Sequence, residues 1–399
     1  MSGEIEPHRA SGRRAPFALL VTLTACGTLG MHMIIPALPA TAASLGVGAG
    51  TIQLAITLYL VGLATGQLIY GPISDRFGRR PVLLAGLALY TAAGFAAAAA
   101  PFASALIAAR VFQSLGGCSG LVLGRAIVRD AASADRAAAQ LALLTLVMSA
   151  VPALAPAIGG YATAWFGWRA CFALLAAFGG LTLALTWALL PETLAPRQGA
   201  HGTHSLLFSY LRLLRSRAFC GYAVGGACTT TSFYAFMSAS PFIFEHMLHR
   251  GPQEVGLYYL LLMGGVALGG LSANRLAGRV PARTALRIAN GLAIAGAAAF
   301  ALVDLCGWVS VPTMVGPVAL FMVGAGMASP FAVAGAVSVN PLAIGAASGM
   351  YGCVQMAYGV LCTLVVETWH PGAVFPVATV LLGSTLLGQA ALTLAMRGR

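Results

Sequence analysis

The sequence predicts an all-α membrane protein with twelve transmembrane helices in two pseudo-symmetric six-helix bundles. Composition, the placement of charge and an internal repeat lead to that prediction. The 399 residues are 59% hydrophobic and only 8% charged, with a mean hydropathy of +0.87. A soluble domain needs a charged surface that this composition cannot supply. The basic residues fall in alternate loops, and two short stretches recur about 200 residues apart.

A helix that crosses lipid needs ~20 mostly apolar residues. Twelve runs qualify, at 15–38, 51–71, 81–100, 103–128, 137–161, 169–191, 218–245, 253–273, 284–306, 312–337, 345–368 and 373–396. The first, RRAPFALLVTLTACGTLGMHMIIP, is too long for a signal-peptide core and lacks a small-residue cleavage site, so it reads as a retained helix.

The chain has no lysine, so all 22 basic residues are arginine. Most sit in alternate loops: Arg9, Arg13 and Arg14; Arg76, Arg79 and Arg80; Arg129 and Arg136; Arg197, Arg212, Arg215 and Arg217; Arg275, Arg279, Arg283 and Arg287; Arg397 and Arg399. This is the positive-inside pattern, with both termini cytoplasmic. The net charge of +12 therefore reports topology and not a nucleic-acid partner. The 8 cysteines show no zinc-ligand spacing and no pairing; they read as small apolar packing residues.

The longest polar stretch, 192–217, divides the chain into a bundle at 1–192, a cytoplasmic linker at 193–217 and a second bundle at 218–399. His32 stands four residues before Pro36 in helix 1, and Met237 four before Pro241 in helix 7. GPISDRFGRR (71–80), after helix 2, has an echo in GLSANRLAGR (270–279), after helix 8. Two such bundles around a cavity are an architecture of secondary transporters. No phosphate-binding glycine loop and no hydrolytic or redox constellation appears, so neither an enzyme nor a bound cofactor is expected.

GPISDRFGRRPVLL (71–84) is the most specific string. Gly71 is expected to allow a tight exit from helix 2. Asp75 and Gly78 sit among Arg76, Arg79 and Arg80. A carboxylate there can meet a helix N-terminus or pair with neighbouring arginines, making a latch that forms in one conformation and breaks in the other. Topogenic charge alone would explain the arginines, but not the acid and the two glycines.

This string resembles the signature loop of the major facilitator superfamily. RVFQSLGGCSGLVLGRAIVRD (110–130) is similar to its helix-4 motif, with Arg110, Gln113 and Gly116 in register. VPALAPAIGG (151–160) is similar to the helix-5 motif of its exporters. IIPALPATAASLG, SPFIF and GVALGGLSANRL resemble the bicyclomycin/chloramphenicol resistance branch of drug exporters. The resemblance spans nearly the whole chain. It implies the major facilitator fold, alternating access, a small-molecule substrate, and a monomer in the inner membrane of a bacterium. It further implies that Asp75 is the latch acid, with Arg76, Arg80, Arg125, Arg129, Asp130 and the start of helix 11 near Gly345 around it. Pro152, Pro156, Gly159 and Gly160 would bend helix 5 and pack it on glycine-rich helix 8 (Gly264, Gly265, Gly269, Gly270). Close packing in lipid would by itself account for these glycines.

The chain departs from the resembling exporters at His32, where they carry an aspartate thought to hold the transported proton. At ~1.5 Å per residue, His32 and Arg110 both lie ~10–12 Å inside the outer end and are expected to face each other. Intramembrane ionisable groups are functional candidates by default, the plain alternative being a satisfied polar pair in the core. All ten acidic residues fall in loops or near helix ends, so the cavity is expected to hold His32 and Arg110 without negative charge. Cationic cargo is thereby disfavoured. A neutral or anionic substrate suits the forked donors of Arg110.

Tyr59, Phe233, Tyr234, Phe236, Tyr259, Phe331, Tyr351 and Tyr358 are candidate stacking groups, and Gln113, Thr230 and Gln355 candidate orienting groups. Each alone reads equally as core or lipid-facing. His32 can couple protons, because imidazole titrates near neutrality. Coupling through substrate charge and facilitated diffusion remain as alternatives.

Met31, His32, Met237 and Met263 allow a second class of function, since soft thioether and imidazole ligands suit Cu(I). Copper importers of the same superfamily share the plan. Against it, neighbouring residues on a helix point ~100° apart, so Met31 and Met33 cannot both join His32 on one face. Vitamin or metabolite uptake is a third reading.

Overall fold

The computed structural model describes residues 16–131, 134–193, 210–339, 344–369 and 373–397. The predicted basic groups Arg9, Arg13, Arg14, Arg197 and Arg399 and linker residues 194–209 lie outside them. The first pass joins α1 (Phe17–His32), a 3-10 turn at Ile35–Ala37 and α2 (Leu38–Leu45). It is followed by α3 (Ala49–Phe77), α4 (Arg79–Ala98), α5 (Ala103–Ala131), α6 (Ala134–Phe166) and α7 (Arg169–Leu189). The second half opens with α8 (Arg217–Thr231), α9 (Phe233–Phe242) and a π-helical turn (Ile243–Met247). Then come α10 (Pro252–Leu276), α11 (Ala282–Leu305), α12 (Val311–Val337), α13 (Ile344–Trp369) and α14 (Val374–Arg397).

Ten of these passes are long and apolar enough to cross a bilayer. The 33-residue α6 and the broken α8–α9 pass complete twelve. Trp165, Phe166 and Trp187 stay largely exposed on the outer surface, as expected of aromatics that face lipid near its interfaces.

The string 71–80 is mostly helix and not a loop. α3 runs through Gly71 and Pro72 to Phe77, because its charged last turn extends beyond the apolar layer. Gly78, with φ +94°, makes the turn that Gly71 was expected to make, and α4 starts at the next residue. Gly278, with φ +77°, does the same after α10, so the repeat is preserved in backbone conformation. The two proline sites differ. α1 ends at His32 before the Pro36 turn, whereas Pro241 stays within α9 and the irregularity follows it as the π turn.

Within the first half α4 packs on α5 and α7, while α1 and α3 pack on α5. Glycines bring these backbones together: a Cβ at Gly116 would meet the backbone of Tyr90, and one at Gly117 would meet Gly27. In the second half Asn290 ties three helices together. It donates to Gln389 Oε1 at 2.7 Å and to the Thr385 carbonyl at 3.2 Å, and accepts from Thr229 at 2.7 Å.

The halves meet along two seams, α3 on α13 and α6 on α10. At the second seam a Cβ on Gly160 would strike the Pro252 carbonyl, and one on Gly256 the Pro156 carbonyl. The expected partners on helix 8 are thus corrected. Gly265 and Gly269 face α12, against Ala319 and Val323, and no atom of the described residues lies close to Gly264 or Gly270. Four-residue spacing puts Gly265 and Gly269 on one stripe of α10, and that stripe is turned to α12.

Candidate functional site

Arg110, on α5, is fully buried. Its guanidinium carbon lies 4.0 Å from the Tyr59 ring centroid and 5.8 Å from that of Phe172, within cation–π range. Nη1 donates to Gln113 Oε1 at 2.8 Å, one turn along the same helix. Tyr59 is fixed in turn, its hydroxyl donating to the Gly27 carbonyl at 2.9 Å. Among the described residues Nε and Nη2 of Arg110 have no hydrogen-bond partner, nor has Nε2 of Gln113. Among the described residues Arg110 forms no ion pair. Burying an unpaired cation costs several kcal/mol in general. Here two aromatic faces and one amide offset part of that cost and leave donors free for an incoming oxygen.

His32 and Arg110 stand at similar height. Gly117 of α5 packs on Gly27 of α1; His32 lies five positions and Arg110 seven positions from that contact, toward the same end. Their side chains nevertheless turn to different partners. His32 Nδ1–H donates to the Thr28 carbonyl at 2.9 Å within its own helix, and among the described residues no hydrogen bond joins it to Arg110. The expected facing pair is therefore corrected: the imidazole bonds a carbonyl one turn back in its own helix. That bond leaves Nε2 as the open nitrogen.

The second half gathers its candidates into separate groups. Phe233 stacks on Phe236 at 5.8 Å and meets Tyr259 edge-on at 6.2 Å. The Tyr259 hydroxyl lies 2.8 Å from Ser240 Oγ and 3.3 Å from the Met237 carbonyl. Gln355 donates to Thr230 at 2.9 Å, and the Tyr351 hydroxyl lies against Gly226 without a hydrogen-bond partner. Tyr358 donates to Ser384 at 2.8 Å. Tyr234 sits on the seam, next to Gly359 and Leu60. Phe331 is half-buried in a second core cluster on the side of the termini. Met31, Met237 and Met263 are buried in the main hydrophobic core.

At the end bearing the termini, Arg79 is the centre of the charge cluster. Nη1 pairs with Asp75 at 2.7 Å, and Nε with Asp130 at 3.0 Å. Arg76 lies over Phe77, and Arg80 donates to the Trp187 carbonyl at 2.8 Å. Glu192, which the sequence showed only as a loop acid, accepts from the backbone N–H groups of Arg79 and Arg80 at 3.0 and 3.1 Å. It thereby caps the N-terminus of α4. A cavity of about 180 Å³ lies beside this cluster between the halves, lined by Gln67, Asp75, Arg125, Arg129, Tyr210 and Gly345 among others. Pro152 and Pro156 lie inside α6, and Gly159 brings it onto the Met33 carbonyl.

At the opposite end the halves are joined by contacts that sequence reasoning missed. Gln53 donates to the Ser238 carbonyl at 2.9 Å, and Thr57 hydrogen-bonds both Thr363, at 2.8 Å, and Glu367. Glu367 lies near the end of α13, as expected of every acid, yet it is buried between the halves. The signal available was its position after Val365 and Val366, within an apolar run.

Two six-helix bundles, joined at one end and cleft at the other, with a buried unpaired cation in one of them, define a secondary transporter and not an enzyme. A family model described as Major Facilitator Superfamily matches residues 20–365, and the chain belongs to that superfamily. It is 33% identical over 390 residues to the chloramphenicol resistance protein of Pseudomonas aeruginosa, covering 94% of this chain and 89% of that one. It is 32% identical to multidrug resistance protein D of Escherichia coli, over 87% of both, and 27% identical to the bicyclomycin resistance protein homolog of Haemophilus influenzae, over 88% of both. In fold it is similar to the D-xylose-proton symporter, with TM-score 0.71 at 14% identity over 93% of this chain and 96% of that one.

Proposed function

We propose that this chain exports a neutral or anionic amphipathic small molecule, a drug or a metabolite, across a bacterial inner membrane, with protons moving inward. On this reading both termini lie in the cytoplasm, and the joined end of the bundles is the outer end. The protein works as a monomer on cargo drawn from the cytoplasm or the inner leaflet. The observation that carries this reading is Arg110, a buried guanidinium with two free donor nitrogens and no acidic neighbour among the described residues. Such a group repels cations and offers its fork to carbonyl, carboxylate or phosphate oxygens. The names of the relatives support drugs as cargo. No observation favours metal or vitamin uptake: His32 commits Nδ1 to Thr28, and the three methionines pack as core.

The test is a thermal-stability screen of purified protein with amphenicols, anionic metabolites, flavins, cationic dyes and Cu(I), because a ligand that binds the folded form raises its melting point. Neutral or anionic organics should stabilise the wild type but not Arg110→Ala, and should be moved by proteoliposomes in the export direction. Stabilisation by Cu(I) alone, or by cationic dyes irrespective of Arg110, would overturn the proposal.

A further inference from the structure

We infer that Glu367 is a proton-binding site that holds the outer end of the transporter shut while its carboxyl is neutral, and that opening of this end releases the proton to water. Hydrogen counting supplies the argument. Three contacts run in series: Glu367 Oε1 to Thr57 Oγ1, Thr57 Oγ1 to Thr363 Oγ1 at 2.8 Å, and Thr363 Oγ1 to the Val360 carbonyl at 3.0 Å. A threonine hydroxyl carries one hydrogen, a carboxylate none and a carboxylic acid one. With a neutral acid, Glu367 donates to Thr57, Thr57 to Thr363, and Thr363 to the carbonyl, so each contact holds one hydrogen. With a carboxylate, two hydrogens must serve three contacts, and one pair of oxygens is left facing each other without a hydrogen. Among the described residues the second oxygen, Oε2, is buried without a partner. A neutral carbonyl tolerates that far better than half of a negative charge does.

Among the described residues, the helices packed on α13 supply no charge at this end to hold a carboxylate. The elements packed on α13 are α3, α8, α9, α12 and α14. Their charged residues are Asp75 and Arg76 on α3, Arg217 on α8 and Arg397 on α14, all in the helix turns at the opposite end; α9 and α12 have none. The remaining titratable groups on these elements are phenols and thiols, among them Tyr59, Tyr234 and Cys228. The π turn after α9 carries Glu245 and His246, and His370 lies outside the described residues. The chain thus bridges the two halves, since Thr57 belongs to the first and Thr363 and Glu367 to the second. Separating the halves breaks the bridge, wets the carboxyl and favours its ionised form. This places a carboxylic proton carrier on α13 in a chain whose first helix has His32 instead of an acid.

The inference rests on the transporter reading for its direction but not on any cargo, and its test needs none. Infrared spectra of the full-length protein in lipid would be recorded across the neutral pH range for the wild type, Glu367→Gln and Thr57→Val. A neutral carboxylic-acid carbonyl band should appear in the wild type, fade as pH rises and be lost in Glu367→Gln. It should be shifted in Thr57→Val. Spin labels at Thr51 and Met247, one on each half, should move apart with the same pH midpoint in the wild type and remain close at every pH in Glu367→Gln. Absence of the band difference at every pH, or a wild-type pH response of the label distance in Glu367→Gln, overturns the inference. If band and distance behave as described but transport carries no protons, the site stands and the antiport reading fails.

Discussion

At the scale of single residues, the first half is dominated by the unpaired cation. Tyr59 and Phe172 give Arg110 flat electron-rich faces, and only a planar guanidinium can use them while presenting free N–H groups elsewhere. Arg110→Lys should retain charge but lose the fork, weakening a neutral or anionic ligand by roughly tenfold, a loss of about 1–2 kcal/mol. Titration calorimetry on the two proteins would measure it, and unchanged affinity would remove Arg110 from the binding site. The sequence singled out Arg110, Gln113 and Tyr59 because ionisable, amide and phenol groups within apolar runs stand out. It did not single out Phe172, because an aromatic in a lipid-spanning helix has many possible neighbours. Glu192 is a second such case. Its role as a cap depends on a chain turn more than 100 residues away, between Phe77 and Arg79. Glu192→Ala should lower stability by roughly 0.5–2 kcal/mol, as loss of a helix cap does, seen as a lower melting temperature without a change in ligand preference.

At the scale of elements, helix identity was legible and helix contacts were less so. Hydropathy marked all twelve passes, since each must meet the same lipid thickness. It did not mark the extension of α3 to Phe77 or of the first pass to Leu45, because beyond the apolar layer a helix has no hydropathy signature. The glycines of α10 illustrate the second difficulty. All four candidates are small, but which of them meets another helix is a matter of rotation about the axis. The contacts separate them. Gly159→Ala and Gly160→Ala place a methyl on the carbonyls of Met33 and Pro252, and each should cost ~1–3 kcal/mol, the scale of overpacking. Gly264→Ala and Gly270→Ala meet no atom of the described residues and should change little. Melting temperatures of the four variants, measured side by side, check this. Equal effects would mean that α6 and α10 do not meet as described.

At the scale of the whole molecule, the halves are bridged at one end by Gln53, Thr57, Ser238, Thr363 and Glu367, while a cavity opens beside Asp75 and Arg79 at the other. This asymmetry is what a transporter closed on one side requires. If transport needs the bridged end to open, a cross-link there should stop it. Thr57→Cys with Thr363→Cys, in a background lacking the native cysteines, should form a disulfide in oxidant, abolish transport and regain it in reductant. Undiminished transport by the cross-linked protein would show that this end does not open during the cycle.

The sequence by itself determined the membrane setting, the twelve passes, the two related halves and the superfamily. Each of these is written locally, in apolar run length, in arginine placement and in short strings such as GPISDRFGRR. Only the tertiary structure decided that His32 turns to Thr28 and not to Arg110, that Gly256 meets α6, and that Gly265 and Gly269 meet α12. It alone placed the buried carboxyl of Glu367 against Thr57 of the other half, which in turn bonds Thr363. These outcomes depend on helix rotation and on contacts between residues as many as 310 positions apart, such as Thr57 and Glu367. Periodicity fixes which residues share a helix face, but only packing decides what that face meets.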